Sequence, residues 1–421
     1  MTGRETVAVA EPDERGLAEA ERVELTVDAV APGGHCVARV DGQVVFVRHA
    51  LPGERVIAEV TEVHRGFVRA DAVTVLDASP DRVEPPCPYA KPGACGGCDL
   101  QHVAPEAQLA WKTAVVREQL VRLGGLTDAE LDRLDVRVRA SPGGLLGWRS
   151  RVRYAVDAAD RAGLLKHRSH EVVPIDRCRI AHPAIQKLPV LSPTGARWSA
   201  AEAVETVAST GGDVTVTEIR EGVPAPVSGP AEVREVAAGR DWTLPASAFW
   251  QVHPAAASTL SAAVLELLDP QPGEIAWDLY GGAGLFAAGL AERVGATGRV
   301  TLVETAGQGV AAARENLADL PTVEVVSARV ETALARRRIT GPVDVVVLDP
   351  PRSGAGAPVV RALAAAGPRA VAYVACDPAA FARDVRTFAD LGWRLAAVRG
   401  FDLFPMTQHV EQVGLLLPPT A

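Results

Sequence analysis

The chain of 421 residues contains no run of eighteen consecutive apolar residues, so its sequence offers no membrane-spanning helix. Its first residues, MTGRETVAVAEPDERGLAEAE, lack the basic-then-apolar pattern of a secretion signal and are expected to form a disordered tail over 1–21. A cytoplasmic chain without membrane contact is the expectation. Cysteine is scarce, with six residues in all. In a reducing compartment that small number argues for metal or catalytic work rather than disulfides. Net positive charge is also lacking: the formal charge of −9 argues against general attraction to a polyanion. What is present, 48% hydrophobic and 23% charged residues, describes a globular chain long enough for two or three domains.

The average charge hides an asymmetry. Between Arg133 and Arg179 stand eleven Lys or Arg against five Asp or Glu. Within WRSRVRY, Arg149, Arg151 and Arg153 alternate as they would on one face of a strand. A one-sided row of guanidinium groups suits a phosphate backbone, and the alternative is a solvated strand face.

Residues 22–78 read as short strands, with Asp41-Gly42 between HCVARV and QVVFVR as a two-residue hairpin signal. A five-stranded barrel of the oligonucleotide-binding (OB) type is expected there. Residues 79–245 are expected as a central α+β domain. It opens on SPDRVEPPCPYAKPGACGGCDLQHVAP, too rich in Pro, Gly and Cys for regular structure. A helix follows in EAQLAWKTAVVREQLVRLGG, then strand-like pieces over 136–178 and connecting structure over 208–245. From 246 to 421 strand and helix patterns alternate. The fold class expected there is α/β, a doubly wound, Rossmann-like domain with a mostly parallel sheet.

Cys87, Cys95 and Cys98 form C-x7-C-x2-C, and Cys178 lies further on in DRCRIAHP. Three clustered thiols with a distant fourth suggest a tetrathiolate site, for which an iron–sulfur cluster and structural zinc are both chemically possible. Cys36 is left over and is expected to pack in the barrel. In WDLYGGAGLF a strand runs into Gly281, Gly282 and Gly284, which let a ligand approach a helix N-terminus closely. Glu304 ends the next strand, RVTLVE, where a carboxylate can accept ribose hydroxyls. This spacing alone does not separate a dinucleotide from S-adenosylmethionine. VDVVVLDPPRSG favours the latter: Asp349 ends a strand, and DPP resembles methyltransferases acting on planar nitrogen or ring atoms. In the amino-directed ones an aromatic residue follows, whereas Arg352 stands here.

Cys376 ends the strand-like run VAYVAC, on the rim that also carries Asp349 and the glycine turn. It reads either as a small core thiol or as a nucleophile. Carbon 5 of uracil attacks a methyl sulfonium only after a thiolate has added to carbon 6. A base must then remove the carbon-5 proton. In FPMTQHVEQVGLL, Glu411 lies among apolar residues that would raise its pKa, with His409 two residues away.

Together CGGC, the glycine turn, DPPRSG, the cysteine with Pro378 two residues on, and His409 with Glu411 resemble the RNA 5-methyluridine methyltransferase family. The similar form carries an N-terminal TRAM domain and an iron–sulfur cluster. The resemblance covers the chain from about residue 22. It implies that Cys376 is the nucleophile and Glu411 the proton acceptor. Gln251 in SAFWQVHP, with Tyr280, Gly282, Gly284, Glu304 and Asp349, would bind S-adenosylmethionine. Cys87, Cys95, Cys98 and Cys178 would ligate a structural [4Fe-4S] cluster, with zinc as the alternative. The barrel would hold RNA, with 23S rRNA favoured over tRNA, and the chain is expected to be a monomer. The sequence departs from the family at Asp377, where Asn is usual, at Gly281, often Cys, and at Leu285, often Asn. Two other classes are weighed. A catalytically silent RNA-binding factor is opposed by Cys376 and Glu411. A redox iron–sulfur enzyme of the radical type is opposed by the absence of C-x3-C-x2-C.

Overall fold

The computed structural model describes residues 16–191 and 197–419. The tail expected over 1–21 therefore lies outside the described residues as far as residue 15. From Gly16 the chain is already packed: Leu17 is buried in the barrel core and its N–H donates to Gln43 Oε1 at 3.3 Å. Two compact units are formed. Among the described residues, one comprises 16–115, 164–175 and 406–408; the other comprises 116–163, 176–191, 197–405 and 409–419. The stretch 79–245, expected as one central domain, is shared between them. Among the described residues no helix is long and apolar enough to cross a membrane.

In the first unit, five strands close into a barrel in the order Arg22–Ala31, His35–Val40, Gln43–Arg48, Phe67–Asp77, Arg55–His64. Alternation decides which side faces in: Val23, Leu25 and Val27 are buried while Arg22, Glu24 and Thr26 between them are exposed. Asp41 and Gly42 both take positive φ, 48° and 84°, which is the tight turn that an Asp-Gly pair favours. Cys36 is fully buried and its Sγ donates to the Ala50 carbonyl at 3.4 Å, a packing role as expected.

The second unit is built on an eight-stranded sheet. Its order is Val323–Ser327, Arg299–Glu304, Ile275–Leu279, Val345–Leu348, Ala370–Ala375, Glu411–Leu417, Arg394–Asp402, Val138–Ala140. The first five strands are parallel, and Glu411–Leu417 runs antiparallel to both of its neighbours. Val345–Leu348 and Ala370–Ala375 are buried at every position, as strands covered on both faces must be. Helices connect the parallel strands, so all five C-terminal ends open on one rim.

The same unit holds an antiparallel run, Val223–Ser228, Val214–Arg220, Ala203–Ala208 and Arg151–Val156, and the hairpin Glu232–Ala237 with Arg240–Pro245. Residues 208–245, expected as connecting structure, are thus largely strands. Their glycines occupy turns, and Pro224 and Pro226 lie on an edge strand, where a missing N–H is tolerated. The expected alternation of guanidinium groups is present in the strand Arg151–Val156, with Arg151 and Arg153 opposite the buried Val152 and Tyr154, but both are paired. Arg151 is nearly buried and bonds Glu235 at 2.8 Å; Arg153 pairs with Glu205 at 2.8 Å. Arg149 Nε donates to the Arg151 carbonyl at 3.1 Å.

Candidate active site

The glycine turn follows Ile275–Leu279. Tyr280, Gly282 and Gly284 take φ of 65°, 52° and 99°. At Gly284, which opens the helix Leu285–Val294, a Cβ would lie 2.6 Å from Leu317 Cδ1, so the position admits glycine alone. The helix's first turn is held by Asp278, whose Oδ2 accepts the Ala287 N–H at 2.8 Å. Asp278 is fully buried and its Oδ1 has no partner. Burial pushes its carboxyl up to about 7 against the help of that N–H, and the charges of Asp349 and Glu304 add to the rise.

Glu304 ties this turn to the next strand. Its Oε2 accepts the Gly282 N–H at 2.9 Å, while Oε1 accepts the N–H groups of Thr305 and Ala306 at 2.7 and 2.6 Å. Tyr280, half-buried, donates its hydroxyl to Glu331 Oε1 at 3.4 Å. Asp349 follows Val345–Leu348, and its N–H donates to the Leu279 carbonyl at 3.2 Å. Burial raises its carboxyl to about 7. Gln251 is half-buried in a segment pinned from the neighbouring strand. Ser150 donates to the Val252 carbonyl from its N–H at 2.8 Å and its Oγ at 2.9 Å, and Arg151 donates to the Ala246 and Ala248 carbonyls at 3.1 Å.

Register brings Cys376 and Glu411 together. Ala375 pairs with Gln412 across antiparallel strands, so the next residue of one strand and the preceding residue of the other meet at the rim. Glu411 is 5% exposed, and burial holds its carboxyl well above the usual range, with Asp349 adding to the rise and Arg352 opposing it. Cys376 is half-buried and its thiol is pushed up to about 11, first by burial and then by Glu411 and Asp349; Arg352 opposes, and Asp377 adds less. Asp377 is turned to the following helix, where Oδ1 accepts the Ala380 N–H at 2.8 Å as its cap. Arg352, exposed, places Nη2 3.4 Å from His409 Nε2. A file of rings runs from His253 through Trp148 and Phe404 to His409, with centroids 5.8, 6.0 and 5.8 Å apart. It joins the Gln251 segment to the approach to Glu411.

In the first unit, the cysteine-rich loop is fixed by backbone contacts. The Gly96 N–H donates to the Leu165 carbonyl at 2.9 Å, and a Cβ at Gly96 would lie 2.4 Å from the His167 nitrogen. The Gly97 N–H points at Cys95 Sγ, 3.4 Å away, and Gln101 Oε1 accepts the Cys87 N–H at 3.1 Å. Cys87, Cys95 and Cys98 are half-buried, and none of the three is in a disulfide; Cys178 is buried and belongs to the second unit. The donors suit a thiolate-bound group in kind, and an N–H aimed at sulfur is a contact that favours thiolate. Among the described residues, however, no three His, Cys, Asp or Glu side chains are arranged to hold a metal ion.

Sequence patterns missed Asp278, the Arg151–Glu235 pair, and Asp384 with Tyr373 behind the Asp349 loop. The one signal is a carboxylate at a position otherwise apolar: Asp278 in the strand IAWDL, and Asp384 on the helix face of Phe381, Val385 and Phe388.

Comparison with known proteins adds a second line of findings. The TRAM domain family matches residues 18–73, and the tRNA (Uracil-5-)-methyltransferase family matches residues 239–419. A protein of Streptomyces avermitilis described as an uncharacterized RNA methyltransferase is 48% identical, covering 94% of this chain and 98% of its own. The 23S rRNA (uracil(1939)-C(5))-methyltransferase RlmD of Thiobacillus denitrificans is 33% identical, covering 91% and 96%. Among solved structures, the Pyrococcus abyssi tRNA (uracil-54, C5)-methyltransferase in complex with S-adenosyl-L-homocysteine aligns with a TM-score of 0.70. It is 22% identical and covers 94% of this chain and 100% of its own.

Proposed function

We propose a specific reaction for this chain, which belongs to the RNA (uracil-C5)-methyltransferase family: S-adenosylmethionine-dependent methylation of one uridine of 23S rRNA. The observation that carries the reading is the register placing Cys376 beside Glu411 on the rim that also holds Asp349. S-adenosylmethionine, held by Gln251, Tyr280, Gly282, Gly284, Glu304 and Asp349, supplies the methyl group. The rim suits such a cation. Asp278, Asp349, Glu411 and Cys376 are all driven towards their neutral forms, and positive charge nearby favours the carboxylates and the thiolate. Three backbone N–H groups already use the Glu304 carboxylate, so ribose hydroxyls would share or displace them.

The target base is flipped into the rim. Cys376 adds as its thiolate to carbon 6 of the uracil, the resulting enolate makes carbon 5 the nucleophile, and carbon 5 takes the methyl group as S-adenosylhomocysteine leaves. Glu411, whose carboxyl burial holds above the usual carboxylate range, removes the carbon-5 proton. The carbon 6–sulfur bond then breaks, restoring the ring double bond and freeing the Cys376 thiolate. Phe249, 78% exposed two residues before Gln251, offers a ring on which a base can stack. The barrel holds RNA, and the chain acts as a cytoplasmic monomer. Cys87, Cys95, Cys98 and Cys178 are the residues that would ligate a structural [4Fe-4S] cluster, or zinc, as the resemblance implies. Iron and sulfide assays on anaerobically purified protein test this, and protein containing zinc alone overturns the cluster.

The decisive assay incubates the protein with S-adenosylmethionine and unmodified 23S rRNA or tRNA, then maps 5-methyluridine by fragment mass spectrometry. Product at one position of 23S rRNA is expected. Product in tRNA alone moves the substrate, and product in neither contradicts the reaction.

A further inference from the structure

The segment between Asp349 and the helix Gly356–Ala366 carries Arg352, and it is tied from behind by one buried carboxylate. Asp384, 4% exposed, lies in the helix that follows Cys376. Its Oδ2 accepts the Tyr373 hydroxyl at 2.6 Å and the Ala355 N–H at 2.8 Å, and the Gly356 N–H lies 3.2 Å from both carboxylate oxygens. The Tyr373 hydroxyl also accepts the Ala355 N–H at 3.0 Å. Burial and then the Asp384 charge keep that hydroxyl protonated, so it remains a donor. Gly354 takes φ 86°, and a Cβ there would lie 2.7 Å from Asp384 Oδ2. Tyr373 stands three residues before Cys376 on a fully buried strand. The clamp is thus anchored on the same two elements that place the nucleophile.

We infer that Asp384, with Tyr373, is a positioning residue: it holds the loop after Asp349 so that the Arg352 guanidinium stays within electrostatic reach of Cys376 and Glu411. Four charged groups act on Cys376: Glu411, Asp349 and Asp377 disfavour its thiolate, and Arg352 alone among them favours it. On Glu411 the acting charges are Asp349 and Arg352. A loosened loop withdraws the one favourable charge and leaves the carboxylates. The inference rests on Cys376 being the reactive thiol, but its test needs neither RNA nor turnover.

The test is the rate of iodoacetamide alkylation of Cys376 in the full-length protein, resolved from the other cysteines by peptide mass spectrometry and followed from pH 7 to 9. Below its pKa a thiol reacts in proportion to its thiolate fraction, tenfold less for each unit of upward shift. Asp384→Asn is expected to slow alkylation about tenfold, the effect of losing a nearby opposite charge. Arg352→Gln is expected to slow it equally, and the double variant no further. Removal of a negative charge by itself would speed the reaction, so the sign separates positioning from direct electrostatics. An unchanged or faster rate in Asp384→Asn overturns the inference. Where Asp384→Asn does not fold, Tyr373→Phe decides by the same sign with a smaller slowing. Methylation surviving in Cys376→Ala would remove the nucleophile reading while leaving these rates as they stand, so the two failures are distinguishable.

Discussion

Cys376 and Cys95 are both half-buried thiols, yet the chain places them by different means. Cys376 leaves a strand buried at every position, and strand register sets Glu411 beside it from a distant part of the sequence. Burial and neighbouring carboxylates then make its proton hard to remove until a cation arrives. Cys95 sits in a loop shaped by backbone contacts, with Gly96 against His167 and the Gly97 N–H aimed at its sulfur. The first setting suits a thiol that must gain and lose charge in each turnover. The second suits a thiolate that stays bound. Residue type and exposure are alike in the two places, so on the proposed reading it is the neighbouring groups that separate the two roles.

The comparison breaks most sharply at Cys376. Cys376→Ala is expected to lower methylation at least ~10⁴-fold, as loss of a covalent nucleophile does, with S-adenosylmethionine affinity by calorimetry nearly unchanged. Cys95→Ala, on the contrary, is expected to reduce bound metal and thermal stability while folded molecules keep their turnover. Next in size is Glu411→Gln, which leaves carbon-5 proton removal without its base. Adduct breakdown is expected to slow about 10²- to 10³-fold, read as a covalent protein–RNA species on denaturing gels.

A third prediction concerns pH. The Asp278 carboxyl holds its proton to about 7 when folded, against the usual 3.8. The folded state therefore binds more protons between those values, and stability falls as pH rises from about 4 to 7. The three-unit difference corresponds to at most about 4 kcal/mol. Asp278→Asn keeps an acceptor for the Ala287 N–H and removes the charge. It is expected to raise the melting temperature of the ligand-free protein at pH 8 and to change little at pH 4. The smallest effect is reserved for Phe249→Ala: a roughly tenfold rise in KM for RNA from lost stacking, at unchanged S-adenosylmethionine affinity.

The strand–turn–helix at Gly281–Gly284, the strand-end acids Glu304 and Asp349, and the rim position of Cys376 were legible because each is local. A hydrophobic run, a turn and a position just past it suffice. Glu411 was legible from the resemblance, but its neighbourhood was not, since sequence order does not reveal that Glu411–Leu417 inserts between Ala370–Ala375 and Arg394–Asp402. Arg151 misled for a related reason. Alternation gives the face of a strand and not the partner, and Glu235 lies far along the chain. The strands of 208–245 were hidden because their turns and edge carry the Gly and Pro that ordinarily mark loops.

The central claim is that Cys376 attacks the target uracil. It is tested most directly with 23S rRNA transcribed with 5-fluorouridine, whose carbon-5 fluorine cannot be removed as a proton. Incubated with S-adenosylmethionine, the protein should form a denaturant-stable RNA adduct, and peptide mass spectrometry should place the bond on Cys376 Sγ. An adduct on another residue, or 5-methyluridine formed on normal RNA with no adduct on the fluorinated one, would contradict the account.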